Sequence, residues 1–126
     1  MAGGARGEYS IQTEAGEVRL LYTNRALVDA ELAMGKSVLA VSQGFVQGES
    51  GMTEMVHLLQ AGMEAARHDA REGGRRVTVN DALRVMDEVG LAGVAAPVME
   101  GVAAVLSYDP TNEDDASAED DDDPNP

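Results

Sequence analysis

Two pairs of acidic and histidine residues near the middle of the chain have spacings that could bind a metal. Glu54 and His57 are spaced i, i+3, as in the ligand pairs of di-iron helical bundles, and Glu64 and His68 are spaced i, i+4. A di-iron site needs such pairs on separate helices, together with two further carboxylates. Because both pairs lie on one predicted helix, opposite its apolar stripe, we interpret them as a solvent-facing polar surface and expect no metal and no other cofactor.

Other residues that could act in catalysis or bind ions lack the sequence around them that such chemistry needs. Ser50 lies in Gly-Glu-Ser-Gly, which is not the nucleophile elbow of hydrolases. No Gly-Lys-Ser/Thr motif is present to hold phosphates, and there is no Cys. The acidic C-terminal stretch lacks the glycine that bends a calcium-binding loop. We therefore expect a protein that is not an enzyme.

A cluster of basic residues follows the central predicted helix and consists of Arg67, Arg71, Arg75 and Arg76. These arginines either contact an anion or nucleic acid, or stabilise the C-terminal end of the helix and a solvated loop. The chain as a whole has 23 acidic and nine basic residues, a net charge of −14. Because phosphates are repelled by such an excess, we favour the structural role and expect no nucleic-acid partner.

The acidic residues are concentrated at the C-terminal end of the chain. Residues 109–126 contain nine acidic residues, no basic residue and three of the four prolines. A segment of this composition buries too little apolar surface to fold, so we predict a disordered acidic tail. Residues 1–7 form a glycine-rich flexible lead. The predicted folded domain is therefore residues 8–108, long enough for one modest core.

Apolar spacing within this domain predicts a mainly α fold of the α+β kind, a small helical bundle with an N-terminal β-hairpin. The hairpin spans residues 8–22 and turns near Gly16. A short helix over 36–47 is the least distinct element, because its residues also alternate. The other predicted helices are 24–34, 51–68, 79–89 and 93–108, the last with Pro97 in its first turn.

Methionines take the place of aromatic residues in this chain, which has seven Met, three Tyr, one Phe and no Trp. Methionine fills cores, and it also forms surfaces that adapt to varied partners. There are more apolar stripes than so small a bundle needs, so we expect one face to remain for a partner. The candidate partner-binding residues lie mainly on the central helix: Met52, Met55, Leu58, Leu59, Met63 and Met99.

The sequence offers no sign of a membrane segment or a secretion signal. We find no apolar run near the roughly 20 residues of a membrane span, and the N-terminus lacks the apolar core of a signal peptide. We therefore expect a cytoplasmic protein with no membrane partner.

Several motifs resemble the tail assembly chaperones of gene transfer agents and long-tailed phages. They are Tyr-Thr-Asn-Arg-Ala-Leu at 22–27, Ala-Glu-Leu-Ala-Met-Gly-Lys-Ser at 30–37, Leu-Leu-Gln-Ala-Gly-Met at 58–63, Val-Thr-Val-Asn-Asp-Ala at 77–82 and Asp-Glu-Val-Gly at 87–90. The resemblance covers about residues 15–106 and rests on packing and capping patterns. It implies a small, non-enzymatic protein that binds the tape measure protein and the tail tube protein in the host cell cytoplasm while the virion is assembled.

Two other functions remain open from the sequence. The chain could be a permanent structural head-tail or tail component of the virion, joined to neighbours through the edge of its hairpin. It could instead be an acidic decoy that mimics the charge of DNA, although mimicry needs ordered carboxylates and these lie in a predicted disordered tail. A homo-oligomer and a longer form made by ribosomal frameshifting also stay open.

Overall fold

The computed structural model describes residues 7–111 and confirms the mainly α fold with an N-terminal hairpin. Residues 1–6 and 112–126, where most of the predicted flexible lead and acidic tail fall, lie outside the described residues. Gly7, expected in the lead, belongs to the first strand. The elements in chain order are β1 Gly7–Thr13, β2 Gly16–Tyr22, α1 Asn24–Met34, α2 Val38–Gln47, α3 Met52–Asp69 and α4 Val79–Leu106.

The hairpin forms because its two strands place apolar residues on one face. β1 and β2 pair antiparallel with Gly7 opposite Tyr22 and Thr13 opposite Gly16, which takes a positive φ of 123° in the turn. Tyr9, opposite Leu20, lies on the face that covers α3 and α4. A two-stranded sheet is marginal alone, so this packing is what holds the hairpin.

Capping residues set the ends of the first two helices. The Thr23 side chain caps α1 by accepting a hydrogen bond from the Ala26 N–H at 3.1 Å, and Gly35 ends it in the left-handed conformation. The short element predicted over 36–47 is a helix, capped by Ser37 and ended by Gly48. α2 packs chiefly against α1 and has few contacts with the rest of the fold.

Tyr22 is the centre of the core and is fully buried. Its hydroxyl donates a hydrogen bond of 2.8 Å to the Leu58 carbonyl oxygen, and burial raises the pKa of its phenol well above the usual value. The ring fits between α3 and α4 because Gly62 and Gly101 carry no side chain there. Four valines of α4 complete this core: Val94, Val98, Val102 and Val105.

The sequence predicted two separate helices, 79–89 and 93–108, where the structure has the single element α4. Gly90 leaves the helical conformation, with φ 83° and ψ 163°, so α4 consists of two arms that meet there without a loop. Its second arm therefore starts earlier than Gly93. Pro97 lies inside that arm rather than in its first turn, where we had expected it. Because proline has no N–H, the Gly93 carbonyl oxygen accepts no helical hydrogen bond from position 97.

α4 also corrects the expectation that no apolar run is long enough to span a membrane. An 18-residue window of this helix has a mean hydropathy of 1.8, so the helix meets the length and composition of a membrane span. Core helices of soluble proteins have the same length and hydropathy, and 28% of this window is buried within the domain. Here the valines of α4 are buried against the hairpin and α3.

Candidate functional site

The six candidate partner-binding residues do not share one surface. Met55, Leu58 and Leu59 are at most 2% exposed and belong to the core, because α3 is enclosed by β2, α1 and α4. Met63 and Met99 are partly buried against that core. Met52, in the first turn of α3, is 55% exposed. The expectation that all six residues are available to a partner is therefore corrected. In the folded chain a partner could reach Met52 and the edges of Met63 and Met99.

Half of the exposed large apolar residues lie on the first two helices. Five of the eight large apolar side chains that are exposed within residues 7–111 fall between positions 28 and 52. On α1, Val28 and Leu32 are one turn apart and are 51% and 78% exposed. The five residues are Val28, Leu32, Leu39, Val46 and Met52; the other three lie on α4: Leu83, Leu91 and Leu106.

α2 is unusual in having no charged residue. Every other helix and strand within residues 7–111 has at least one Asp, Glu, Lys or Arg. Leu39 and Val46 are 55% and 88% exposed and, at i and i+7, lie on the same side of α2. Gln43 lies between them and is also exposed. We call the solvent side of this helix the α2 face; it consists of Leu39, Ala40, Gln43, Val46 and Gln47.

The inner side of α2 holds the helix against the domain. Val38 and Val41 are buried in the core, and Phe45 packs against its edge. The Glu31 carboxylate accepts a hydrogen bond of 2.8 Å from the Val38 N–H, which joins the end of α1 to the start of α2. At the other end, the Ser50 hydroxyl donates to the Val41 carbonyl oxygen at 2.8 Å. The α2 face is therefore presented from fixed backbone positions.

An ion pair fastens the turn between α1 and α2 to the first turn of α3. The Lys36 ammonium contacts the Glu54 carboxylate, whose other oxygen accepts a hydrogen bond of 2.9 Å from the Gly51 N–H. Together these contacts lower the pKa of Glu54 to about 2, with Lys36 the larger cause. Glu54 is thus occupied in capping and pairing and does not serve as a metal ligand in this arrangement.

The other three residues of the two pairs, His57, Glu64 and His68, are not grouped around a possible metal position either. Within residues 7–111, no group of three His, Asp or Glu side chains is placed to hold a metal ion. Nδ1 of His57 is buried and has no hydrogen-bond partner. Glu64 was expected to face solvent, and this is wrong: the residue is only 9% exposed.

Glu64 is buried because it joins α3 to the segment that leads into α4. Its carboxylate accepts two hydrogen bonds from Arg67, at 2.9 and 2.8 Å, and one from the Val77 N–H at 2.9 Å. Arg76 lies 3.9 Å away, and the pKa of Glu64 is lowered, chiefly by Arg67. Sequence spacing gave no sign of this, because two of its partners, Val77 and Arg76, lie outside its helix.

Three of the four arginines in the basic cluster contact carboxylates of the domain. Besides the bond of Arg67 to Glu64, Arg75 makes two hydrogen bonds to Asp81, at 2.8 and 2.9 Å. Asp81 also accepts from the Thr78 N–H and completes the capping box of α4. These contacts hold the pKa of Asp81 well below its usual value, chiefly through Arg75.

A shallow cleft lies between α1 and α3 and was not expected from the sequence. It has a volume of about 460 Å³ and a floor that includes Ala26, Ala61 and Ala65. Charges of both signs line its rim, among them Arg25 and Asp29, which form an ion pair of 3.6 Å across one turn of α1.

Comparisons of this chain with protein-family models, with curated proteins and with solved structures found no match.

Proposed function

We propose that this protein is a tail assembly chaperone of the phage or gene-transfer-agent type. It would bind the tape measure protein transiently in the host cell cytoplasm and give way as tail tube subunits assemble around that protein. The observation that carries the proposal is the group of exposed apolar side chains between positions 28 and 52, on a domain for which we expect no catalytic or cofactor site. The resemblance of residues 15–106 to such chaperones supplies the identity of the partners.

The balance of apolar surface and charge fits this task. Exposed Leu32 and Val46 offer apolar contact to a helical protein that would otherwise aggregate. The net charge of −14 would keep the resulting complex dispersed by repulsion between copies. Handing the client over requires weak contacts, and aliphatic side chains on a short helix lack the aromatic and arginine anchors of tight interfaces.

Co-expression with a tape measure protein tests the proposal. We expect the soluble fraction of the tape measure protein to rise several-fold when the full chain is present, and the two proteins to co-purify. An unrelated acidic helical protein of similar size is the control, because it supplies charge without the exposed surface. A tape measure protein whose solubility is the same with and without this chain would contradict the proposal.

A permanent structural component of the particle is the second candidate, favoured by the hairpin. Within residues 7–111 the sheet consists of β1 and β2 alone, so each strand has one edge without a neighbouring strand, and such edges accept strands from other subunits. Quantitative mass spectrometry of purified particles separates the two functions. A stoichiometric amount of this chain in the particle favours the structural component, and its absence favours the chaperone.

A further inference from the structure

We infer that the α2 face is a docking surface for an amphipathic helix of a partner protein whose apolar side is flanked by Lys or Arg. This inference rests on the proposed function and names the part of the domain that would bind the client. Three observations carry it: the exposure of the apolar residues on α2, the size of the surface they form, and the charges around it.

The exposure of α2 is not explained by the packing of the domain. The helix already buries Val38 and Val41 on its inner side, so Leu39 and Val46 contribute nothing to the core. An exposed leucine alone needs no explanation. Two large aliphatic residues on one side of a helix without any charge are different, because solvated helices normally have charged residues on that side.

The size of the α2 face fits a single helix better than a second copy of this chain. Ten residues of helix are about 15 Å long, which is close to the contact length of a few turns of a partner helix. A stable interface between globular proteins buries about 800 Å² on each partner, more than a few side chains provide. Helices that bind through apolar positions spaced i, i+3, i+4 and i+7 need a narrower surface.

The charges around the α2 face select the kind of helix. Carboxylates occur at both ends of the helix: Glu31, whose carboxylate accepts a hydrogen bond from the Val38 N–H, precedes it, and exposed Glu49 follows Gly48. Lys36, the one basic residue near the start of α2, is paired with Glu54. Basic residues beside the apolar side of a partner helix would therefore meet acidic groups, whereas a second copy would bring carboxylates together.

A designed peptide tests the inference on the full-length chain. The probe is a dye-labelled peptide of about 18 residues, five helical turns, with leucines on one side and lysines on the other. A scrambled peptide of the same composition has equal charge but no apolar side. Binding is measured by fluorescence anisotropy at about 0.5 M salt, where screening beyond ~5 Å weakens diffuse attraction to the acidic chain.

Two matched double variants assign the binding to a surface. Leu39→Gln with Val46→Gln removes two exposed apolar side chains from the α2 face, and Leu91→Gln with Leu106→Gln removes two of comparable size from α4. Neither pair changes the charge. We expect the first pair to weaken binding of the amphipathic peptide by about tenfold and the second by less than about twofold.

Three results would overturn the inference. They are equal binding of the scrambled peptide, an equal loss in both double variants, and a wild-type dimer in light scattering that dissociates when Leu39 and Val46 are changed.

The co-expression experiment keeps the two proposals separate. A tape measure protein protected equally by wild type and by the Leu39 and Val46 variant would end the inference and leave the proposed function standing. Peptide binding that depends on the α2 face, without protection of the tape measure protein, would support the inference and contradict the proposed function.

Discussion

The hydroxyl of Tyr22 donates a hydrogen bond to the Leu58 carbonyl oxygen, and this bond joins the end of the hairpin to the middle of α3 inside the core. Tyr22→Phe removes only the hydroxyl. We expect it to lower the free energy of unfolding by about 1 kcal/mol, measured by urea unfolding, since a neutral buried hydrogen bond contributes about that much. Tyr9→Phe is a control, because the Tyr9 hydroxyl lies 3.5 Å from the Glu100 carbonyl oxygen, a longer and more exposed contact. An equal loss in both variants would contradict the prediction.

The glycines beside the Tyr22 ring provide a second prediction. A methyl group at Gly62 or at Gly101 would overlap the ring, so Gly62→Ala and Gly101→Ala must displace it. We expect each change to cost about 2 kcal/mol in urea unfolding, although alanine favours helices over glycine by about 1 kcal/mol. At Gly73 an added methyl group meets nothing within 4 Å, so Gly73→Ala should have little effect. Stabilisation by Gly62→Ala would show that the ring is not held as described.

The buried carboxylate of Glu64 provides a third prediction. Glu64→Gln leaves the guanidinium of Arg67 without its bidentate partner and weakens the bond to the Val77 N–H. We expect a loss of about 2 kcal/mol in stability and faster amide exchange of the segment that leads into α4. Asp87→Asn, at an exposed position on α4, is the matched control. Unchanged exchange at Val77 in the Glu64 variant would refute the role we assign to this residue.

Stability should fall in acid because of Glu54 and Asp81. The folded state lowers the pKa of both groups, that of Glu54 from 4.5 to about 2. The unfolded chain therefore binds protons first, so the stability they contribute is present above about pH 5 and is lost as the pH falls toward 2. Urea unfolding at a series of pH values measures this. The double variant Glu54→Gln and Asp81→Asn should show a shallower acid loss than wild type, and an equally steep loss would contradict the assignment.

Met52 and Met55 lie on the same helix, one exposed and one buried, so their substitution by alanine should change stability by different amounts. Met55 is 2% exposed, so Met55→Ala should cost about 3 kcal/mol by leaving a cavity. Met52 is 55% exposed, so Met52→Ala should change stability by less than about 0.5 kcal/mol. Urea unfolding of both variants checks this. If the two losses were similar, the burial of the stripe on α3 would be contradicted.

The sequence predicted the elements of this fold well, because their ends are encoded locally. Thr23 and Thr78 cap their helices, and Gly16, Gly35 and Gly90 take positive φ where the chain turns or a helix ends. The join at Gly90 was harder to foresee, since a glycine that ends one helix does not reveal whether the next begins at once.

The candidate surface was predicted less well, for a physical reason. Periodicity shows which residues of a helix share a side, but it does not show whether that side meets the core or solvent. The stripe with Met55 and Leu59 looked available and is enclosed, whereas Leu39 and Val46 on the shorter helix are exposed. Glu64 was misplaced for the same reason, because Val77 and Arg76 reach it from beyond its own helix.

The place of the hairpin in the fold has a consequence for synthesis on the ribosome. Tyr22 and the start of β1 are held by Gly101 and its neighbours, about 80 residues later in the chain. A two-stranded hairpin is unstable alone, so the hairpin must wait for a segment that is translated about 80 residues later before it is secured. We therefore expect nascent chains that stop before α4 to remain sensitive to proteases, and protection to arise in one late step.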